Sequence, residues 1–324
     1  MSVRVAYIFP GQGPQYSGMG HDLIEDYIEA QHVAQTISRA FIQAGAPFNA
    51  ESVMRCGDAP LLERTEYVQC AVFSHATIAF EVFKSQAASA CVQIDPVITF
   101  GHSLGELMAN VAAGTIDRVD MAQLVFQRGS LMQKAPDGAL LNIERMSRQE
   151  VLRLVTAFNS DTSQEEDIYL AISQGPKLNA VGGLKCAMAK FARFLEEGAV
   201  EFRFTTGVAK PLHTPYMSAI IPDFRGILTT KSFQAPSIPL LANATGRPYA
   251  GEAVIENLLS QIDSEVKFKD LVDHAKRLEP TLYLVFGPGI KIKELLTTYN
   301  GIEESRVRVL ERSEDIRSLI SEFA

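Results

Sequence analysis

The stretch Gly101-His102-Ser103-Leu104-Gly105 sets a serine between two glycines, where one sequence pattern gives way to another. Before it, Pro96-Val97-Ile98-Thr99-Phe100 is a short apolar run that predicts a buried strand. After it, Glu106 to Ala113 consists mostly of helix formers. In a G-x-S-x-G elbow the glycines permit a sharp turn and the serine hydroxyl is held exposed. Backbone N–H groups at the helix start then stabilise negative charge. The pattern is short enough to arise as an ordinary Gly-flanked turn with an idle serine, so its meaning depends on the rest of the chain.

The N-terminus carries a second glycine loop. Val3-Arg4-Val5-Ala6-Tyr7-Ile8-Phe9 predicts a strand, and Pro10-Gly11-Gln12-Gly13-Pro14-Gln15 follows it. Two glycines around Gln12 allow the backbone to approach a ligand or another loop closely. Position 16 is Tyr, so the spacing of a dinucleotide-binding loop is missing. A loop of this kind is also where an oxyanion hole finds its second N–H.

Phe9-Pro10-Gly11-Gln12-Gly13-Pro14-Gln15 with Gly18-Met19-Gly20, then Gly101 to Glu106, resembles the malonyl-CoA:acyl carrier protein transacylase family. That family includes enzymes of fatty acid synthesis and the acyltransferases of polyketide synthases. The resemblance continues through Gln127-Arg128-Gly129, His213 with Met217, and Gly287-Pro288-Gly289, in the family's order. It implies an α/β fold with a hydrolase-like large subdomain (1–136 and 209–324) and an inserted ferredoxin-like subdomain (137–208). The catalytic cleft would lie between them.

Composition agrees with a compact enzyme. A chain of 324 residues, 47% hydrophobic, can bury a large core. Its first residues lack the charged and long apolar regions of a secretory signal, and no apolar run approaches the ~20 residues that span a bilayer. The expected setting is cytoplasmic, without a membrane partner. Cys56, Cys70, Cys91 and Cys186 form no C-x-x-C pair, which argues against a zinc site and predicts buried, reduced thiols. A net charge of −8 disfavours nucleic acid. No metal and no permanently bound cofactor is expected, and a monomer is.

Strands and helices alternate along the chain, which itself predicts an α/β fold with a mainly parallel sheet. Helices are expected over His21–Ala44, Tyr67–Ser85, Val119–Lys134 (amphipathic), Gln149–Phe158, Ala187–Glu196, Tyr216–Thr229, Phe268–Arg277 and Lys291–Tyr299. Further strands are expected at Ile168–Ile172, Phe202–Thr205, Ile238–Ala242, Leu282–Phe286 and Val307–Leu310. Ser160 to Asp167 is a polar, acidic loop inside the inserted segment.

Ser103 needs a base. His21, His32, His75 and His274 sit in or beside helical stretches, and His102 points away from its neighbour on a sharp turn. His213 lies in Lys210-Pro211-Leu212-His213-Thr214-Pro215, a loop bracketed by prolines. The residues leave it one candidate among several; the resemblance selects it. No acid stands out as a third triad member. The resemblance implies a backbone carbonyl from a late loop instead, and Gln261 stands at the matching distance, with a surface glutamine as the alternative. It also implies an oxyanion hole from the backbone N–H groups of Gln12 and Leu104.

Arg128 matches the arginine that pairs with the free carboxylate of a malonyl group, although a surface arginine is the plain alternative. A guanidinium binds a carboxylate through two parallel N–H···O bonds and so favours dicarboxylic acyl groups over acetyl. Two departures leave the acyl group open. Leu212, beside the histidine and therefore in the acyl pocket, replaces the usual Ser or Phe. Ser173-Gln174-Gly175-Pro176-Lys177 replaces an Asn-Ser-Pro stretch.

The expected activity is transfer of an acyl group, most readily malonyl, from acyl-CoA to the phosphopantetheine thiol of an acyl carrier protein. Lys177, Lys185, Lys190, Arg193 and Lys210 are the basic residues considered for carrier docking. A hydrolase of the same fold, an esterase needing an acid after Ser103, and a non-catalytic carrier-binding module are the rivals. Arg128 disfavours the first, the Gly11–Gln15 loop the second, and the Ser103–His213 pair the third.

Overall fold

The computed structural model describes residues 2–55, 64–162, 166–250 and 253–323. Among these, ten strands are formed: β1 (Val3–Phe9), β2 (Ile94–Gly101), β3 (Gly138–Glu144), β4 (Tyr169–Gly175), β5 (Leu178–Leu184), β6 (Phe202–Phe204), β7 (Leu241–Ala242), β8 (Arg247–Pro248), β9 (Leu282–Phe286) and β10 (Val307–Leu310). The first sheet runs β10-β9-β1-β2, and every neighbouring pair in it is parallel. Val5 to Phe9 and Leu282 to Phe286 are buried without alternation, the mark of parallel strands covered on both faces. Tyr7 and Phe9 pack against Phe80 and Phe286, and the Phe80 and Phe286 rings meet edge-on at 5.1 Å. Phe80 comes from the helix Thr65–Ser89, which is buried along most of its length.

The second sheet is antiparallel, with order β4-β5-β3-β6. The helix Arg148–Ser160 connects β3 to β4, and Lys185–Glu197 connects β5 to β6. This β-α-β-β-α-β order is the ferredoxin-like arrangement. Side chains alternate across the sheet. Leu141, Ile143, Leu170 and Val181 pack on Val151, Phe158, Phe191 and Leu195 of the two helices. Leu140, Asn142, Ile172, Gln174, Leu178 and Ala180 face the opposite way, into a cleft.

The sheets are strapped together just beyond the helix Val254–Asp263. Ser173 N–H donates to Val266 O and Val266 N–H to Ala171 O, both at 2.9 Å. The Glu265 carboxylate takes two N–H bonds from Arg148, at 2.9 and 2.6 Å, and the Ser173 hydroxyl at 2.6 Å.

Several expected elements change. β3, β5 and the helix Val254–Asp263 were not anticipated, and Ile238–Ala242 contracts to β7. Gly138 and the Gly182-Gly183 pair dilute the β pattern; a Cβ on Gly138 would meet Gly183 O at 2.6 Å, whereas at Gly182 and Gly183 the nearest atoms are methyls of Leu140 and Ile168, at 2.6 and 2.9 Å. The segment from Tyr216 starts as a 3₁₀ turn, Pro215–Ile220, before the helix Ile221–Leu228. Lys291–Tyr299 divides into an α segment, Ile290–Glu294, and a π turn, Leu295–Tyr299. The helix Arg118–Gln133, capped by Asp117, buries a stripe at helical spacing, but that stripe includes Arg128. Of the cysteines, Cys70 is buried, whereas Cys91 and Cys186 are exposed on a turn and a first helical turn, contrary to expectation. Cys56 lies outside the described residues, as does the centre of the acidic loop. No described helix is long and apolar enough to cross a membrane. Among the described residues no cluster of His, Cys, Asp and Glu could hold a metal.

Candidate active site

The elbow forms because β2 ends against the next helix with no room for side chains. A Cβ on Gly101 would lie 2.0 Å from the Gly105 carbonyl carbon, and one on Gly105 would lie 2.1 Å from Phe9 O. Ser103 between them has φ 51°, a left-handed backbone that costs an L-residue on the order of 1 kcal/mol or more. Asn243 holds the turn: its Oδ1 accepts Ser103 N–H at 2.7 Å and its Nδ2 donates to Gly101 O at 2.8 Å.

His213 reaches the serine from the far side of the chain. Its Nε2 lies 2.7 Å from Ser103 Oγ, and it too sits in the left-handed region, at φ 60°. Nδ1 lies 2.8 Å from the backbone O of Gln261. A carbonyl only accepts, so Nδ1 carries the hydrogen and Nε2 is left to take the serine proton. Burial pushes the imidazole pKa down to about 3; the Gln261 carbonyl opposes this, while Arg128 and His102 add to it. The base is therefore neutral at ordinary pH.

Gln261 is not the late-loop or surface glutamine considered from sequence. It is fully buried in the last turn of Val254–Asp263, where a helix leaves carbonyls without intrahelical partners. Its side chain is bonded on every side. Nε2 donates to Ser103 O at 2.8 Å and to Glu106 Oε2 at 2.6 Å, and Oε1 accepts from Arg128 Nη2 at 2.8 Å.

Arg128 is 1% exposed, so the surface alternative is excluded. Nη1 donates to Gln69 Oε1 at 2.7 Å, while Nε has no partner among the described residues. Burial lowers its pKa to about 10, against the pull of Glu106, and it stays charged at neutral pH. Gln12 lines the cleft, and neither its N–H nor that of Leu104 donates to an acceptor among the described residues. His102 is no rival base: its ring packs at a tilt on Phe268, with centroids 5.2 Å apart, and its Nδ1 would lie 2.9 Å from a Cβ on Gly11. Burial holds its pKa down to about 4.

The dyad opens into a cleft of about 380 Å³ between the two sheets. Leu212 and His213 line it with Leu140, Ile172 and Leu178, as do the polar Gln174, Arg203 and Lys291. The basic residues considered for docking are dispersed. Lys210 is buried, donating to Ala135 O and Asp137. Lys185, Lys190 and Arg193 ride on a helix that packs behind the antiparallel sheet, away from the cleft.

Glu106, Asn243, Gln69 and Tyr249 were missed. The available signal was a polar residue inside an expected buried run, as for Gln69, or directly after the elbow, as for Glu106.

The family model for the acyl transferase domain matches residues 6–286. The chain belongs to the acyl transferase family. The malonyl CoA-acyl carrier protein transacylase of Bacillus subtilis (strain 168) is 27% identical over 303 residues, covering 92% of this acyl transferase and 90% of that one. The polyketide biosynthesis protein ThaF of Burkholderia thailandensis is 28% identical over 294 residues. Those residues are 90% of this chain but 24% of ThaF, so the chain spans about a quarter of that relative. A crystal structure of malonyl-CoA:acyl carrier protein transacylase from Xanthomonas oryzae pv. oryzae aligns with TM-score 0.88 and 26% identity over 100% of both chains.

Proposed function

We propose that this acyl transferase moves a malonyl group from CoA to the phosphopantetheine thiol of an acyl carrier protein, in fatty acid or polyketide synthesis. The observation that carries the reading is the convergence on Gln261, which touches the His213 base, the Ser103 turn and Arg128 at once. His213 Nε2 takes the Ser103 proton as Oγ bonds to the thioester carbonyl carbon, and the carbonyl π electrons move onto oxygen. The N–H groups of Gln12 and Leu104 receive that oxyanion. Collapse restores the carbonyl and breaks the C–S bond, and the departing CoA sulfur takes the proton from His213. The carrier thiol then repeats these steps on the serine ester, and Ser103 leaves with its proton restored.

Arg128 supplies the choice of acyl group. Its unpartnered Nε–H and the remaining Nη hydrogens suit a carboxylate, and an unsatisfied buried donor costs about 1–3 kcal/mol until a ligand meets it. Leu212 bounds the pocket on the base side. Lys291 replaces the earlier basic set as the cation lining the cleft, where an acidic carrier would arrive, since Arg203 is already paired with Glu144. The same reading has the protein act in the cytoplasm as a monomer, with acyl-CoA as substrate and no resident cofactor.

Intact-mass and peptide analysis after exposure to malonyl-CoA tests it. A malonyl adduct on the Ser103 peptide is expected, absent from Ser103→Ala. Discharge should be slow in water and fast once a phosphopantetheinylated carrier is added. An adduct elsewhere with Ser103→Ala still active sinks the mechanism, and equal discharge with and without carrier makes the protein a hydrolase.

A further inference from the structure

Glu106 takes no part in the steps above, yet it is a fully buried acid in the first turn after the elbow. Its Oε1 accepts the Tyr249 hydroxyl at 2.7 Å, and its Oε2 accepts Gln261 Nε2 at 2.6 Å and Asn243 N–H at 3.2 Å. All three partners are donors. The Tyr249 hydroxyl is itself polarised, because it accepts Asn110 Nδ2 at 3.2 Å. Asn110 is fixed in turn by donating to Glu106 O and accepting from Thr115 Oγ1, both at 2.8 Å. The hydrogen-bond directions are those an ionised carboxylate demands.

On the other side of Gln261 stands Arg128. A single amide thus separates a buried anion from a buried cation, its N–H edge toward Glu106 and its oxygen toward Arg128. Isolated charges are not tolerated in such an interior, and these two are each other's counter-charge. A neutral amide at position 106 would offer both a donor and an acceptor. Gln261 could then turn over and present its N–H₂ to the guanidinium.

We infer that Glu106 is a positioning residue for acyl selection. It fixes the Gln261 side chain in the orientation that holds Arg128, so preference for a carboxylated acyl group over acetyl depends on a carboxylate that acts only through Gln261. The inference rests on the reading of Arg128 given under Proposed function. Burial pushes the Glu106 pKa up to about 7, with Tyr249, Gln261, Asn243 and Arg128 opposing, so the test belongs at about pH 8.

Loading of the full chain by malonyl-CoA and by acetyl-CoA is measured as kcat/KM for the wild type, Glu106→Gln, Arg128→Ala and the double variant. Glu106→Gln is expected to lower the malonyl-to-acetyl ratio about tenfold, the scale of a lost charged hydrogen bond. The double variant should match Arg128→Ala, because both act on one receptor. Loss of both substrates in equal proportion by Glu106→Gln makes Glu106 mere support for the fold and overturns the inference, as does an unchanged ratio. A ratio unchanged in Arg128→Ala overturns the underlying reading of Arg128 as well. If Glu106→Gln does not fold, Tyr249→Phe removes one of the three donors and should lower the ratio about threefold. No change in that variant overturns the inference.

Discussion

The two walls of the cleft are built on opposite plans. The wall behind Ser103 hides its polar groups: Arg128, Glu106, Gln261 and Asn243 are buried and each is bound to another. The wall formed by the antiparallel sheet carries its polar groups nearer to solvent. There Gln174 Nε2 donates to Asn142 Oδ1 at 2.7 Å and Asn142 Nδ2 to Thr205 Oγ1 at 3.0 Å, without a buried charge. Low dielectric strengthens the first set and screening weakens the second. On the proposed reading, reaction and acyl selection belong to the first wall, and the second offers only neutral polar contact.

The comparison breaks first at the base. His213→Ala should lower acylation by at least ~10², the scale for a positioned general base. With its pKa held near 3, the wild-type enzyme should load acetyl-CoA at a rate that does not fall through a midpoint near 6.5 as pH drops toward about 5. A stopped-flow pH profile checks this. Next in size, Arg128→Lys should restore little of the malonyl preference that Arg128→Ala loses, roughly 10- to 150-fold, because a point charge cannot replace the fork. Competition between malonyl-, methylmalonyl- and acetyl-CoA reads it. On the other wall, Gln174→Ala should change loading only about threefold and mainly through KM, since it removes one neutral hydrogen bond. A larger loss in kcat would erase the distinction between the walls.

Stability sharpens the same contrast. Glu106 binds its proton more tightly folded than unfolded, so the stability it contributes is full below about 4.5 and is lost as pH rises through about 7. His102 and His213, held neutral by burial, act in the opposite sense over the same window, so the denaturant midpoint should climb more steeply with pH in Glu106→Gln than in the wild type.

Much of the first wall was legible because its chemistry depends on local geometry. Gly101, Ser103 and Gly105 announce the elbow, and the prolines around His213 mark a fixed loop. What escaped was long-range. The resemblance set the Gln261 carbonyl against His213, but not the bonds of its side chain to Ser103, Glu106 and Arg128, and Asn243 acts on Ser103 from 140 positions away. No spacing in the sequence records such a partnership. Arg128 was named through the resemblance, but its burial was not legible, because it occupies a core position in a buried helical stripe, where patterning expects an apolar residue. The second wall was read only in outline, because three glycines in β3 and β5 break the strand pattern, one of them, Gly138, where the facing chain comes close.

Ser103 is also a source of tension in the scaffold. Its φ of 51° suits glycine, and the Asn243 and glycine contacts compel the chain to adopt it. Both Ser103→Ala and Ser103→Gly remove the hydroxyl, but only glycine relaxes the backbone. The glycine variant should therefore melt at a higher temperature than the alanine variant, by an amount equivalent to about 1 kcal/mol. A calorimetric difference of zero would mean that the turn holds no strain. The expected difference makes the proposed nucleophile a residue the protein would be sturdier without, retained against the drift toward a more comfortable and inactive chain.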